Sequence, residues 1–247
     1  MVATRAGLCT VKYGVEYQGI EVVPPTAEDP YLKMSLPIAY AKAKFRNNGD
    51  FSFVEKNDIN DSTRTRVVNT KFIGDYNADN ILAAICIGQH FNVPLKKAVE
   101  AIESYAPSNN RSQMLDTGKN KVIVDTYNAN PASMKASLDN FARTHFEEIA
   151  LILGDMKELG TISMTEHIEV VKKTVPICAS SASSAVFLVG ENMGKAVREA
   201  LITSLNTFLF DTVEELIDFL KEHPLEGRTV LVKGSHSTNL DKVIPYL

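Results

Sequence analysis

The segment Val124-Asp125-Thr126-Tyr127-Asn128-Ala129-Asn130-Pro131 joins the end of a predicted strand to the start of a predicted helix. Val122-Ile123-Val124 is a short apolar run that reads as a buried strand. Pro131 suits the first helical position, and Asn130 is a favoured N-cap residue just before it. The helix that follows places its apolar residues on one face: Met134, Leu138 and Phe141. A strand that leads directly into a helix indicates an α/β fold in this region.

The same alternation continues to the end of the chain. Further strands are predicted at Ile149–Leu153, Val186–Val189, Thr207–Phe210 and Thr229–Val232. Helices are predicted at Met164–Lys173, near 193–202, and after a cap at Asp211 or Thr212. Short apolar strands separated by amphipathic helices predict an α/β domain with a mostly parallel sheet covered on both faces. Ligands bind such sheets beyond the carboxyl ends of the strands.

The region before residue 108 is organised differently. Helices are predicted over 78–89 and 94–104, and a polar hinge follows at 107–110, where we place the domain boundary. β-rich pieces are predicted around Cys9–Tyr13, Gly19–Val23 and Thr65–Phe72. Prolines and polar turns separate these pieces, so residues 1–72 read as a partial β-rich region.

Composition excludes several classes of protein. The 247 residues are 45% hydrophobic with a net charge of −4, so no basic surface for nucleic acid is expected. No apolar run reaches the ~18 residues of a membrane span, and the first residues do not resemble a signal peptide. Three widely spaced cysteines form no CxxC pair and predict reduced thiols rather than a metal site. These features together predict a cytoplasmic protein.

Polar residues at the predicted strand ends are the candidate site residues. Asp125 can accept hydrogen bonds from ribose hydroxyls, and Asn128 and Asn130 can bind amides or carboxylates. Lys233 can meet a phosphate or a carboxylate, although Lys233-Gly234-Ser235 lacks the glycine that a phosphate loop has before its lysine. A plain loop with an asparagine cap, and a lysine in solvent, explain the same residues equally well at this stage.

Other polar residues have similar alternatives. Asp155 and Glu158 can position an amine or a metal, but unpaired carboxylates more often stay in water. Arg111, in the hinge, can clamp a phosphate or be an ordinary surface arginine. Asn77 and Asn80 lie three apart at a helix start and can read an adenine edge or act as caps. The five histidines are scattered and are expected to be surface or packing residues.

Taken in order, these motifs resemble the Mur ligase family. The resemblance rests on Gly74-Asp75-Tyr76-Asn77-Ala78-Asp79-Asn80, Asn110-Arg111-Ser112-Gln113, Asp125–Met134, Leu153–Gly160 and Val232-Lys233-Gly234-Ser235. It covers residues 66–247 well and 1–65 weakly. The runs Tyr127-Asn128-Ala129-Asn130-Pro131 and Gly154–Gly160 resemble the branch of the family that adds D-alanyl-D-alanine to a UDP-N-acetylmuramoyl-tripeptide.

The resemblance implies a division of the chain and a reaction. Residues 1–107 resemble the trailing part of the family's central ATPase domain, and residues 108–247 its Rossmann-like C-terminal domain. The family uses ATP with Mg²⁺ to form an acyl phosphate, which the incoming amine attacks in the course of peptidoglycan synthesis. Matched motif by motif, the nucleotide side comprises Asn77, Asn80, Arg111 and Asp125. The dipeptide side comprises Asn128, Asn130 and Lys233.

One departure from the family is clear. The motif GxxxxGK[ST] occurs nowhere in the sequence. We therefore expect the chain alone not to ligate, and to require the missing N-terminal part of the ligase as a partner. A stand-alone nucleotide- or dipeptide-binding module without catalysis is the main alternative, and a sister ligase for another amino acid is a weaker one.

Overall fold

The computed structural model describes residues 21–37, 43–45, 51–53, 65–179, 181, 183–202 and 206–247. The chain divides into two compact units, one comprising 1–25 and 31–105 and the other 26–30 and 106–247. The strand predicted around Cys9–Tyr13 lies outside the described residues. None of the helices in the described ranges has the length and apolarity needed to cross a bilayer.

The first unit is built on an antiparallel sheet. Strands β1 (Glu21–Val23), β2 (Tyr31–Pro37) and β5 (Thr65–Ile73) lie in the order β1-β2-β5, while β3 (Ala43–Phe45) and β4 (Phe51–Phe53) form a separate antiparallel pair. Helices α1 (Ala78–His90) and α2 (Leu95–Ser104) follow β5. The predicted strand over 65–72 and both predicted helices are confirmed.

Strand β2 was not predicted, because Pro30 and Pro37 suggested a loop. Pro30 lies just before the first residue of the strand, and Pro37 is its last residue. Neither proline therefore interrupts the interior of the strand. Between them, alternate residues of β2 point into an apolar core that also receives side chains from β5 and both helices. That core contains Leu32, Met34, Leu36, Val68, Ile81, Leu82, Ile85 and Val99.

The second unit contains a six-stranded sheet. Its strands are β6 (Gln113–Asp116), β7 (Lys121–Asp125), β8 (Ile149–Gly154), β9 (Ala185–Val189), β10 (Thr207–Phe210) and β11 (Thr229–Lys233). Their order is β10-β9-β8-β11-β7-β6, and every neighbouring pair is parallel except β6 with β7. The prediction of a mostly parallel α/β sheet is confirmed, and the antiparallel edge strand β6 is an addition to it.

Helices cover both faces of this sheet. They are α3 (Pro131–Thr144), α4 (Ser163–Cys178), α5 (Glu191–Glu199) and α6 (Val213–Glu222). α3 packs against α4 and α4 against α5, whereas α6 packs against the 3-10 helix Leu240–Tyr246. With right-handed crossovers, α3, α4 and α5 share one face, and α6 lies on the other because β11 returns to a place between β7 and β8. The carboxyl end of β11 is therefore a point of reversal, where a crevice opens in such sheets.

Side-chain caps explain the starts of two helices. Asn130 Oδ1 accepts the Ser133 N–H at 2.8 Å, and the Ser133 hydroxyl oxygen accepts the Asn130 N–H. The predicted cap of α3 is therefore confirmed. At α6, Thr212 rather than Asp211 is the cap, because its Oγ1 accepts the Glu215 N–H at 3.3 Å. Each cap satisfies a backbone donor that has no partner within the helix.

Candidate functional site

A buried ion pair joins the ends of two neighbouring strands. Asp125 and Lys233 are register partners at the last residues of β7 and β11, and Lys233 Nζ lies 2.5 Å from Asp125 Oδ2. The Lys233 side chain is 1% exposed and that of Asp125 is 13% exposed. The lysine therefore lies neither in solvent nor open to an incoming anion, because it already contacts a carboxylate of the same domain.

Asp125 also connects two other segments to this strand end. The Ser137 hydroxyl of α3 donates to Oδ2 at 3.2 Å, and the Ser112 N–H donates to Oδ1 at 3.3 Å. With the Lys233 ammonium, three donors converge on one carboxylate. Such charge-assisted bonds are stronger than neutral ones, so Asp125 is held in one orientation.

The hinge residues lie beside this carboxylate. The Arg111 guanidinium carbon lies 3.6 Å from the centre of the Tyr127 ring, within the range of a cation–π contact. The Tyr127 N–H donates to the Asn110 carbonyl at 3.3 Å. Asn110 and Ser112 have φ values of 53° and 49°, which are uncommon for residues other than glycine. The structure thus brings predicted residues Arg111 and Asp125 together around one short, conformationally unusual segment.

The two asparagines predicted on the dipeptide side lie at the start of α3. Asn130 caps the helix, as described above, and Asn128 Oδ1 accepts the Ala129 N–H at 2.8 Å. Both residues are exposed. Their amide groups are therefore accessible next to a helix N-terminus, an environment that favours anions.

Asp155 follows β8 and has a structural role that sequence reasoning missed. It is 1% exposed, so the expectation of a solvated carboxylate was wrong. Oδ1 accepts the Met193 N–H at 2.9 Å, and Oδ2 accepts the backbone N–H and side-chain amide of Asn192 at 3.4 and 3.1 Å. Lys157 Nζ lies 3.4 Å from Oδ2. Asp155 therefore caps α5 from another strand, across 38 residues of sequence.

Gly190 makes that cap possible. Its φ is 117°, and a Cβ added there would lie 2.5 Å from the Asp155 carboxyl carbon. A second close approach occurs one strand away, where a Cβ on Gly234 would lie 3.1 Å from the Gly154 Cα. The backbones of β8 and β11 therefore approach closely at Gly154 and Gly234.

His167 holds the loop after β8 in place. It is fully buried, its Nε2 accepts the Met156 N–H at 3.0 Å, and its Nδ1 lies 2.7 Å from the Ser163 carbonyl. An Nε2 that accepts and an Nδ1 that donates describe the neutral imidazole. The 3.8 Å separation of Nε2 from Asp155 Oδ1 is therefore a neighbouring contact, not an ion pair.

A cavity of about 350 Å³ lies beyond the carboxyl ends of β8, β9 and β10. Its lining includes Asp155, Lys157, Glu191, Asn192, Asp211 and Glu214. Hydrogen bonds from Lys195 and Lys242 lower the pKa of Glu191 and of Glu214, respectively, so both carboxylates stay ionised near neutral pH. A larger groove of about 680 Å³ lies at the amino end of β8, between α3 and α4, away from the edge where parallel sheets bind ligands.

The predicted adenine residues lie in the first unit. Asn77 is 9% exposed, and its Nδ2 donates to the Ile73 carbonyl at 2.9 Å. Asn80 is exposed and donates from Nδ2 to Asn77 Oδ1 at 3.3 Å. Asn77 occupies the N-cap position of α1 without a side-chain capping bond, so it holds the turn after β5 rather than the helix end.

No resident metal site is built from the described side chains. Within the described ranges, no group of three or more His, Cys, Asp or Glu residues is arranged to hold an ion. Mg²⁺ at nucleotide sites is usually held by phosphate oxygens, waters and one or two carboxylates rather than by an all-protein cage, so none of these residues is assigned to it.

Comparisons with known proteins agree with this architecture. The family described as Mur ligase, glutamate ligase domain, matches residues 110–236. UDP-N-acetylmuramoyl-tripeptide–D-alanyl-D-alanine ligase from Rickettsia prowazekii is 29% identical over 71% of this chain and 38% of its own length. The ligase of the same name from Bacillus subtilis is 26% identical over 94% of this chain and 54% of its own length.

A solved structure extends the comparison to three dimensions. The MurF ligase from Thermotoga maritima in complex with ADP has a TM-score of 0.66 at 19% identity, over 94% of this chain and 47% of that chain. At that identity the likeness establishes the fold alone. The chain spans about half, or less, of the length of each of these three proteins.

Proposed function

This chain belongs to the Mur ligase family, and from that premise we propose that it is part of an ATP-dependent ligase. The ligase joins D-alanyl-D-alanine to a UDP-N-acetylmuramoyl-tripeptide in peptidoglycan synthesis. The observation that carries the proposal is the arrangement of side chains at the carboxyl edge of the second unit. There Asp125 pairs with Lys233 at the reversal point of the sheet, and Arg111 is the chain neighbour of Ser112, whose N–H donates to Asp125. Residues 108–247 are assigned to the family's C-terminal domain and residues 1–107 to the trailing part of its central domain.

Asp125 is proposed to bind the nucleotide ribose. A carboxylate has roughly four lone-pair positions, and the three donors described above occupy three of them. The remaining position, on Oδ1, suits one hydroxyl group of a ribose rather than two. Arg111, next to Ser112, is proposed to contact the ribose or the phosphates, and Asn77 and Asn80 are proposed to contact adenine.

The dipeptide is proposed to bind beyond the same strand ends. Asn128 and Asn130 offer accessible amides at the start of α3, where the helix N-terminus favours a carboxylate. Lys233 was predicted on this side as well, but its ammonium is buried against Asp125.

The proposed reaction has two steps. The terminal carboxylate of the UDP-peptide takes the γ-phosphoryl group of ATP, which gives an acyl phosphate and ADP. The amine of D-alanyl-D-alanine then attacks the acyl carbon, phosphate leaves, and the nitrogen loses a proton. Positioning and charge stabilisation supply most of the acceleration in phosphoryl transfer. Mg²⁺ would offset phosphate charge in this reaction. Because the reaction uses ATP, we also propose a cytoplasmic location for the protein.

We further propose that this chain does not catalyse the reaction unaided, because its sequence holds no GxxxxGK[ST] to cradle the β- and γ-phosphates. The test measures ADP release by the purified chain with ATP, Mg²⁺, the UDP-tripeptide and D-alanyl-D-alanine, omitting each substrate in turn. The full-length Bacillus subtilis ligase is the positive control. We expect no substrate-dependent ADP from this chain. ADP release that requires both the UDP-tripeptide and the dipeptide would overturn the proposal.

A stand-alone binding module without catalysis is the second candidate. The observation that favours it is the core of the second unit, in which both sheet faces are covered by its own helices. Calorimetry with ATP and with D-alanyl-D-alanine separates the two candidates. A free-standing module should bind one of these ligands in the micromolar range and keep that affinity when the rest of the ligase is added, whereas a ligase fragment should bind the nucleotide more weakly alone and gain affinity when the rest is added.

A further inference from the structure

The Asp125–Lys233 pair is unequal in its access to solvent. The Lys233 side chain is 1% exposed, and its ammonium reaches Asp125 Oδ2 at 2.5 Å. The Asp125 side chain is 13% exposed, and its carboxylate also contacts Ser112, in the hinge segment. A ligand beyond the strand ends can therefore reach Asp125 while Lys233 lies beneath it. Register pairing places both side chains on the same face of the sheet, beneath α3, from which Ser137 reaches Asp125.

The two carboxylate oxygens of Asp125 have different hydrogen-bond donors, and this difference fixes the orientation of the carboxylate. Oδ2 receives the Lys233 ammonium and the Ser137 hydroxyl, and Oδ1 receives the Ser112 N–H. The buried cation thus fixes which oxygen faces inward and which keeps an open lone pair. Without the cation, a carboxylate in this position would lose its counter-charge and would turn towards water, because unpaired buried charge is strongly unfavourable.

We infer that Lys233 is a positioning residue that acts through Asp125 and does not itself touch a ligand. This inference rests on the proposed role of Asp125 in binding the ribose. It changes the expected function of Lys233 from binding the dipeptide to holding the carboxylate that selects the ribose hydroxyl. It also explains why the strand-end lysine is buried although the strand-end aspartate is not.

The test compares ADP with 2′-deoxy-ADP and 3′-deoxy-ADP in calorimetry on the whole chain. The variants are Lys233→Met, Asp125→Asn and the double variant. The matched control is Lys135→Met, which breaks a partly exposed ion pair with Glu166 on the surface between α3 and α4. Thermal unfolding followed by circular dichroism is measured on each protein.

The wild-type chain is expected to bind one of the two deoxy analogues about tenfold more weakly than ADP, the effect of one hydrogen bond to a charged group. Lys233→Met is expected to reduce that difference to within about twofold, as Asp125→Asn does, whereas Lys135→Met keeps it. Each single variant should lower Tm by roughly 6–20 °C, because half of a buried ion pair remains. The double variant should recover most of that Tm without regaining the preference for ribose.

A second measurement uses only the wild-type chain and stays decisive if Lys233→Met fails to fold. Acetic anhydride modifies accessible lysines, and we expect Lys233 to remain unmodified with or without ADP or D-alanyl-D-alanine. A Lys233 that is acetylated in the free chain and protected by either ligand touches that ligand, which would overturn the inference.

The binding results separate this inference from the function on which it rests. A folded Lys233→Met variant that keeps the ribose preference of the wild type overturns the role of Lys233 alone. A wild-type chain that binds no ADP, or binds all three nucleotides equally, overturns the ribose role of Asp125 and the inference with it.

Discussion

Replacing Asp155 by asparagine tests the cap that joins β8 to α5. The carboxylate accepts the Met193 N–H, the backbone and side-chain N–H groups of Asn192, and the Lys157 ammonium. An amide of the same shape has one oxygen and one NH₂ group. In either orientation the NH₂ group faces donors, so at least one buried N–H at the start of α5 loses its acceptor.

The cost can be worked out from these contacts. Hydrogen bonds to a charged group contribute about 1.5–3 kcal/mol, and a negative charge at a partly buried helix N-terminus adds up to about 2 kcal/mol. Part of this remains in Asp155→Asn, because the amide oxygen still accepts one bond. We expect the free energy of unfolding to fall by about 2–4 kcal/mol, which lowers Tm by roughly 5–15 °C in a domain of this size.

Urea unfolding followed by circular dichroism measures this change, and hydrogen exchange at the Met193 amide locates it. Asp139→Asn is the matched control, because Asp139 pairs with Lys173 on the surface and its side chain is 55% exposed. Exposed pairs contribute at most about 1 kcal/mol, so the control should barely shift the midpoint. Equal midpoints for the two variants, with unchanged protection of the Met193 amide, would refute the capping role of Asp155.

Three further predictions concern single residues. Gly190→Ala should destabilise the chain by about 1–3 kcal/mol more than Gly118→Ala in urea unfolding, because both glycines have positive φ but only Gly190 lacks room for a Cβ; equal losses would contradict the clash. Asn130→Ala should cost about 1 kcal/mol through loss of the α3 cap, and Asn128→Ala, with no capping bond to lose, should cost less. Burial raises the pKa of the Cys178 thiol to about 11. Because the thiolate is the reactive form, iodoacetamide at pH 8 should label Cys178 roughly a hundredfold more slowly in the folded chain than in urea. Peptide mass spectrometry measures this rate. Because the folded pKa lies above the unfolded value, the stabilising contribution of this thiol is complete below about pH 9 and is lost as pH rises through about 11. Equally fast labelling of Cys178 in the folded chain and in urea would contradict the raised pKa of this partly buried thiol.

Much of the second unit was predictable because its signals are local. Apolar runs and helical periodicity depend on neighbouring residues, so the strands over 149–154, 185–189, 207–210 and 229–233 agree with prediction to within a residue or two. Strand β6 escaped prediction because a short edge strand, antiparallel to β7, carries little apolar signal of its own. The first unit was harder, because β2 follows Pro30 and ends at Pro37, and these prolines locally suggest a loop.

The residues of the candidate site likewise differ in whether the local sequence indicates their surroundings. Asp125, Asn128 and Asn130 could be chosen as candidates from the sequence because they lie between a clear strand and a clear helix start. The buried state of Asp155 was not identified, because its partners at the start of α5 lie 38 residues away and nothing local indicates that they meet. The same holds for Lys233, which is 108 residues from Asp125 along the chain.

The sequence by itself determined which segments become strands and helices, where polar residues follow the strands, and which family the ordered motifs resemble. Only the tertiary structure decided that β11 enters between β7 and β8, and this strand order places Lys233 directly beside Asp125. The physical reason is that periodicity records which side of an element is buried but not which element covers it. Hydrogen-bond register between distant strands sets the partners of a charged side chain. It also determines whether that side chain faces a ligand or holds the residue that does.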